Sequence, residues 1–268
     1  MQKKLPLGIF DSGFGGLSVA KSIHKLLPQE DLIYIADSAF TPYGDIKESD
    51  IIKRALLISD FLVNKKKSKA IVIACNTATA FAVNILRDRF KIPIIGMEPA
   101  VKPALEVTLN KMVGVLATSG TSKSAKFSAL LERYSGEVKF FVQPCPGLVN
   151  AIEKGCFDDA ELFGLLEKYL ANFKKNSVDT IVLGCTHFVY IKHLVKKIMG
   201  ANIRIVDTSE AVAKQLKVKL DEINLRSNSS EPHETMKLIL TKHKNIPQVI
   251  DQFLSGSNVS FKLERSWH

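Results

Sequence analysis

Residues 71–80 read IVIACNTATA, and residues 181–190 read IVLGCTHFVY. Each is a short apolar run that ends in a cysteine, Cys75 or Cys185, and continues into small polar residues. This repetition constrains the fold because other landmarks repeat around it in the same order. GIFDSG (8–13) is matched by GVLATSG (114–120), and PIIGMEPAV (93–101) by RIVDTSEAV (204–212). A chain that carries its landmarks twice in one order reads as two similar units joined by internal duplication.

Each unit alternates apolar runs of strand length with segments of helical period. LPLGIF, DLIYIA, KAIVIA, IPIIGM, MVGVLA, VKFFV, DTIVLG and NIRIVD are predicted strands. After Cys75, residues Ala78, Phe81, Ala82, Ile85 and Leu86 form a helical stripe. Ile191, Leu194, Val195, Ile198 and Met199 do the same after Cys185. Such alternation predicts an α/β fold of two similar domains, with parallel-type sheets flanked by helices and a cleft between them. A polar loop, RSNSSEP (226–232), precedes a tail with one helical pattern near 233–254 and no evident chemistry.

With 37 basic and 27 acidic side chains, the formal net charge is +10. The lysines, however, stand in short runs (65–67; 192, 196 and 197) that suit solvated helix faces. No interleaving of arginine with aromatic residues marks a nucleic-acid groove, so no nucleic-acid partner is expected. No apolar run reaches spanning length, and MQKKLPLGIFDSG lacks the unbroken apolar core of a signal peptide. No membrane association, a cytoplasmic location and reduced thiols are therefore expected. No C-x-x-C pair exists, which weakens zinc-site and thioredoxin-like readings.

In an open parallel sheet, ligands bind outside the carboxyl ends of the strands, where Cys75 and Cys185 fall. A helix that starts there presents unpaired N–H groups, which hold a carboxylate and lower a thiol pKa. Most free cysteines are inert core residues, and Cys145 and Cys156 are read that way. Two at matching positions of a duplicated chain are read as functional. In DSGFGG, Asp11 and Ser12 follow the first strand. Asp11 fits a helix cap, a substrate ammonium partner or a proton relay. It does not fit a thiol activator, because its charge raises a neighbouring thiol pKa. His187, two residues past Cys185, is a candidate acid–base partner.

Together, GIFDSGFGGLSV, PYG (42–44), ACNTATA, GCTH (184–187) and GLVNAIEKG (147–155) resemble the motifs of the cofactor-independent glutamate racemases, within the aspartate/glutamate racemase group. The resemblance spans nearly the whole chain. It implies a first domain of residues 1–97 plus 207–268, a second of 98–206, and an active site between them. It also implies interconversion of L- and D-glutamate for bacterial peptidoglycan, without cofactor or metal, by a homodimer. Carried over by position, Cys75 serves D-glutamate and Cys185 serves L-glutamate as proton acceptor. Asp11, Ser12, Tyr43, Gly44, Asn76, Thr77, Thr121, Thr186 and His187 contact substrate, while Asp11, His187 and Glu153 assist catalysis. The rivals are a related racemase acting on aspartate or a similar acid, a two-domain solute-binding protein, and a zinc or redox protein using Cys75, Cys185 and His187.

Overall fold

The computed structural model describes residues 2–155, 157, 159–242, 246–256, 260–264 and 267. Cys156 lies outside them. Among the described residues the strands run β1 (Leu7–Asp11), β2 (Leu32–Ala36), β3 (Ala70–Ile73), β4 (Ile94–Ile95), β5 (Met112–Ala117), β6 (Lys139–Pro144), β7 (Thr180–Gly184), β8 (Arg204–Val206), β9 (Thr235–Leu240) and β10 (Ser260–Glu264). Between them lie α1 (Leu17–Leu26), α2 (Glu48–Asp60), α3 (Asn76–Arg89), α4 (Val101–Val107), α5 (Ser119–Lys123), α6 (Ala125–Glu132), α7 (Leu148–Glu153), α8 (Ala160–Lys175), α9 (Lys192–Met199), α10 (Ser209–Glu222) and α11 (Ile246–Leu254).

The strands form two sheets, ordered β10-β9-β2-β1-β3-β4 and β6-β5-β7-β8. Every pairing is parallel. The first four strands of each half are arranged alike: second, first, third, fourth. The two-sheet, helix-flanked fold read from the duplication is therefore the fold adopted. In both sheets the connections leave the first strand in opposite directions, which opens a crevice at its carboxyl end.

The tail departs from its expected single helix. β9 and β10 extend the first sheet beyond β2, with α11 between them. The physical reason lies in β9, whose Met236, Leu238, Ile239 and Leu240 are all buried. A strand covered on both faces loses its alternation, and its period then no longer separates it from a buried helix.

The segment after Cys185 also differs. A 3₁₀ turn, Thr186–Ile191, precedes α9. Phe188 N–H donates to Cys185 O at 3.1 Å, an i→i+3 bond of that tighter winding.

One continuous apolar core joins the halves, from Leu7 and Val72 of the first sheet through Phe14 and Leu116 to Phe173, Phe188 and Phe253. Full burial of each such side chain is worth about 2–3 kcal/mol. Exposed ion pairs such as Lys219–Glu222, 2.8 Å apart, contribute at most about 1 kcal/mol each, so packing sets the relation of the sheets.

Candidate active site

The site is assembled from residues just past the carboxyl ends of the strands. Cys75, just after β3, adopts an extended backbone at φ −142° and caps α3. Its Sγ accepts from Ala78 N–H at 3.4 Å and lies 3.9 Å from Ser12 Oγ. Cys185 follows β7, caps nothing with its side chain, and lies 3.8 Å from His187 Nδ1. Both thiols are almost fully buried.

The lowered thiol pKa expected at the helix N-terminus does not hold for Cys75. Burial pushes its thiol well above the ordinary value, and the Asp11 charge adds to this. The Ala78 N–H pulls the other way without reversing it. A helix terminus acts as roughly half a charge, and removal from water outweighs it here.

Asp11, at the end of β1, has no exposure. Oδ1 accepts from Ser12 N–H and Oδ2 from Gly16 N–H, both at 2.7 Å. Thr186 Oγ1, from the second half, lies 3.4 Å from Oδ2. Burial raises the Asp11 pKa, partly offset by the His187 charge and the two N–H donors.

On the other side, His187 Nε2 sits 2.5 Å from Glu153 Oε1, and Nδ1 faces Cys185. Glu153 Oε1 also accepts from Phe14 N–H at 2.8 Å. Burial alone would lower the His187 pKa. Hydrogen bonds to Cys185 and Glu153, with their charges, prevail and hold it well above the usual histidine range. Phe253 of α11 meets the imidazole edge-on at 6.3 Å and packs on Phe14, Phe157 and Tyr190. The tail, which shows no evident chemistry in the sequence, thus supplies the apolar wall behind His187.

The halves also meet through hydroxyls. Thr77 Oγ1 lies 2.9 Å from Thr118 Oγ1 and 3.1 Å from Thr121 Oγ1. Gly44 packs on Thr118 so closely that a Cβ there would stand 2.6 Å from Thr118 Cβ. The Tyr43 hydroxyl donates to Asp37 Oδ2 at 2.5 Å. Asn76 is buried, yet among the described residues neither its amide nitrogen nor its amide oxygen has a partner. Such an orphaned amide costs about 1–3 kcal/mol per group, a cost that a bound polar ligand removes.

Reading the sequence missed Thr118, Asp37 and Tyr34, whose hydroxyl donates to Gly13 O at 2.8 Å. Asp37 and Thr118 directly follow β2 and β5. The strand-end rule that singled out Cys75 and Asp11 reaches both. Among the described residues, no group of three or more His, Cys, Asp or Glu side chains is placed to hold a metal ion. No helix there is long and apolar enough to cross a membrane.

The fold and the paired thiols define a class, and the comparisons place the chain in it. The Asp/Glu/Hydantoin racemase family model matches residues 9–216, and the chain belongs to that family. A glutamate racemase from Pseudomonas paraeruginosa is 50% identical over 212 residues, covering 79% of this chain and 80% of that protein. The crystal structure of glutamate racemase isoform RacE1 from Bacillus anthracis matches with a TM-score of 0.85, 28% identity and 98% coverage of each chain. That of the glutamate racemase from Francisella tularensis, in complex with D-glutamate, matches with a TM-score of 0.84, 30% identity and 98% coverage of each.

Proposed function

We propose that this chain interconverts L- and D-glutamate by two-thiol transfer of the α-proton, without a cofactor, and supplies D-glutamate for peptidoglycan. The observation that carries the reading is the pair of buried thiols at equivalent strand ends of a duplicated fold, each with its own partners. Two bases on opposite faces of Cα racemise without turning the substrate over.

From L-glutamate, Cys185 thiolate takes the α-proton while Cys75 thiol delivers its own to the other face. Cys185 ends as thiol and Cys75 as thiolate, and the reverse reaction exchanges these roles. His187, whose Nε2 lies against Glu153, presents Nδ1 to Cys185 and moves a proton to or from that sulfur. Asp11, with Ser12 beside it, receives the substrate ammonium. The amide of Asn76 and the hydroxyls of Thr77, Thr121 and Thr186 face the carboxylates, with the Tyr43–Gly44 turn as the adjoining wall. The α-carbon is a very weak acid, so donors fixed before reaction must stabilise the developing carbanion-like charge. The division of the chain into 1–97 plus 207–268 and 98–206 belongs to the same reading, supported by sheet membership. So do a cytoplasmic location and a homodimer.

The test is chiral analysis of glutamate incubated with protein dialysed against a chelator, with no pyridoxal phosphate added, beside a panel of other amino acids. Racemisation of glutamate at full rate supports the reading. Activity confined to aspartate, or an absolute need for metal or pyridoxal phosphate, overturns it.

A further inference from the structure

A second buried carboxylate on the first half, Asp37, accepts as many hydrogen bonds as Asp11 and is left unused by the proposed chemistry. Asp37 follows β2 and has no exposure. Its Oδ1 accepts from Arg54 Nη2 at 2.7 Å and from Thr241 Oγ1 at 2.8 Å. Its Oδ2 accepts from Arg54 Nε at 2.8 Å and from the Tyr43 hydroxyl at 2.5 Å. Arg54 therefore grips the carboxylate with two parallel bonds, the most directional form of this pairing. Phe40 and Trp267 flank its guanidinium, at 4.2 and 5.6 Å from the ring centres.

The tyrosine hydroxyl gives the buried carboxylate its fourth hydrogen bond. The hydroxyl bond also ties the hub to one turn, Tyr43–Asp45. Gly44 of that turn lies against Thr118, and a Cβ at Gly120 would lie 3.4 Å from Gly44 Cα and 3.1 Å from Thr77 Cγ2. The turn thus closes the wall between the second residue after Cys75 and the opposite half. Asp37 N–H also donates to Asp11 O at 2.9 Å, which sets β1 and the hub in one register.

We propose that the Asp37–Arg54 pair is a positioning device for the reaction: through the Tyr43 hydroxyl it fixes the Tyr43–Gly44 turn and so the width of the substrate-binding cleft. The proposal rests on the racemase reading above. Among the described residues no hydrogen bond joins Asp37 or Arg54 to either thiol, and the pair reaches the cleft wall through Tyr43.

The test is steady-state kinetics in both directions on Tyr43→Phe, Arg54→Lys and wild type, with melting temperatures. Tyr43→Phe keeps the ring and removes only the tether. L- and D-glutamate are equally stable, so kcat/KM must fall equally in both directions in any variant. The informative quantity is where the loss appears. A misplaced wall weakens binding of both enantiomers alike, so KM for each is expected to rise on the order of tenfold, about the effect of one lost buried hydrogen bond. The kcat values and primary α-deuterium isotope effects should stay within about threefold of wild type, as expected for uniform binding loss. Arg54→Lys keeps the charge but cannot span both oxygens, and should reproduce the KM rise. Folded Tyr43→Phe with both KM values within about twofold of wild type would overturn the proposal, as would a loss appearing in kcat alone. A wild-type chain inactive on glutamate would instead remove the functional reading, and this proposal with it.

Discussion

At the scale of single residues, the two thiols are chemically unlike although their motifs match. Cys75 has a backbone N–H and a hydroxyl as partners, beside a buried carboxylate, whereas Cys185 has an imidazole. Replacing either with Ala should lower racemisation at least about a thousandfold in both directions, because each serves one face. Cys145→Ala, at a buried position outside the proton path, should cost only about 1–2 kcal/mol of stability. Comparing turnover of the three variants with their denaturant midpoints checks this. Asp11 gives a second test. Burial raises the Cys75 pKa first and the Asp11 carboxylate second. Asp11→Asn removes the second cause, so the midpoint of the pH profile for Cys75 alkylation should move to lower pH. Rates of iodoacetamide labelling followed by peptide mass spectrometry would show it. An upward shift would mean that Asp11 does not act on Cys75 through its charge.

At the scale of elements, the sequence is legible where a strand end carries its chemistry with it. The predicted strands around Asp11, Cys75 and Cys185 all form, because their apolar runs are short and each ends in polar residues. Asn76, Thr77, Thr186 and His187 are fixed by adjacency to those ends. Glu153 is different, since no local pattern pairs it with a histidine 34 positions away. Only family resemblance points to it. The tail is illegible for another reason. Phe253 contributes to the site by packing on His187, and hydrophobic period reports that a face is buried but not against what. The resemblance makes Tyr43 a substrate contact, yet its hydroxyl is bound to Asp37, a tertiary arrangement without a sequence signal. The first loop supplies a test at this scale. A Cβ at Gly15 would lie 2.5 Å from His187 Nδ1 and 2.7 Å from His187 backbone N, so ring and backbone must move. Gly15→Ala should lower kcat on the order of a hundredfold, the usual effect of displacing a catalytic group by about 1 Å. Gly136→Ala, where nothing lies within 4 Å, is the control and should leave kcat unaltered.

At the scale of the molecule, duplication explains why one thiol motif occurs twice. Two sheets with the same strand order present equivalent strand ends, and a shared core sets them against each other. In the reading proposed above, the opposing faces of a substrate meet opposing thiols, each with its own partners. The central claim is that two bases act, one per face. It is tested most directly by the early reaction of L-glutamate in deuterated water. Cys75 has exchanged with solvent before substrate arrives, so the proton it delivers is deuterium. Substrate that returns without crossing, before that thiol exchanges with solvent, regains its own proton from Cys185. Early D-glutamate should therefore be almost fully deuterated at Cα while the remaining L-glutamate is almost unlabelled, with the mirror pattern from D-glutamate. Early product rich in the original hydrogen would mean that one base serves both faces, and would contradict the pairing of Cys75 with Cys185.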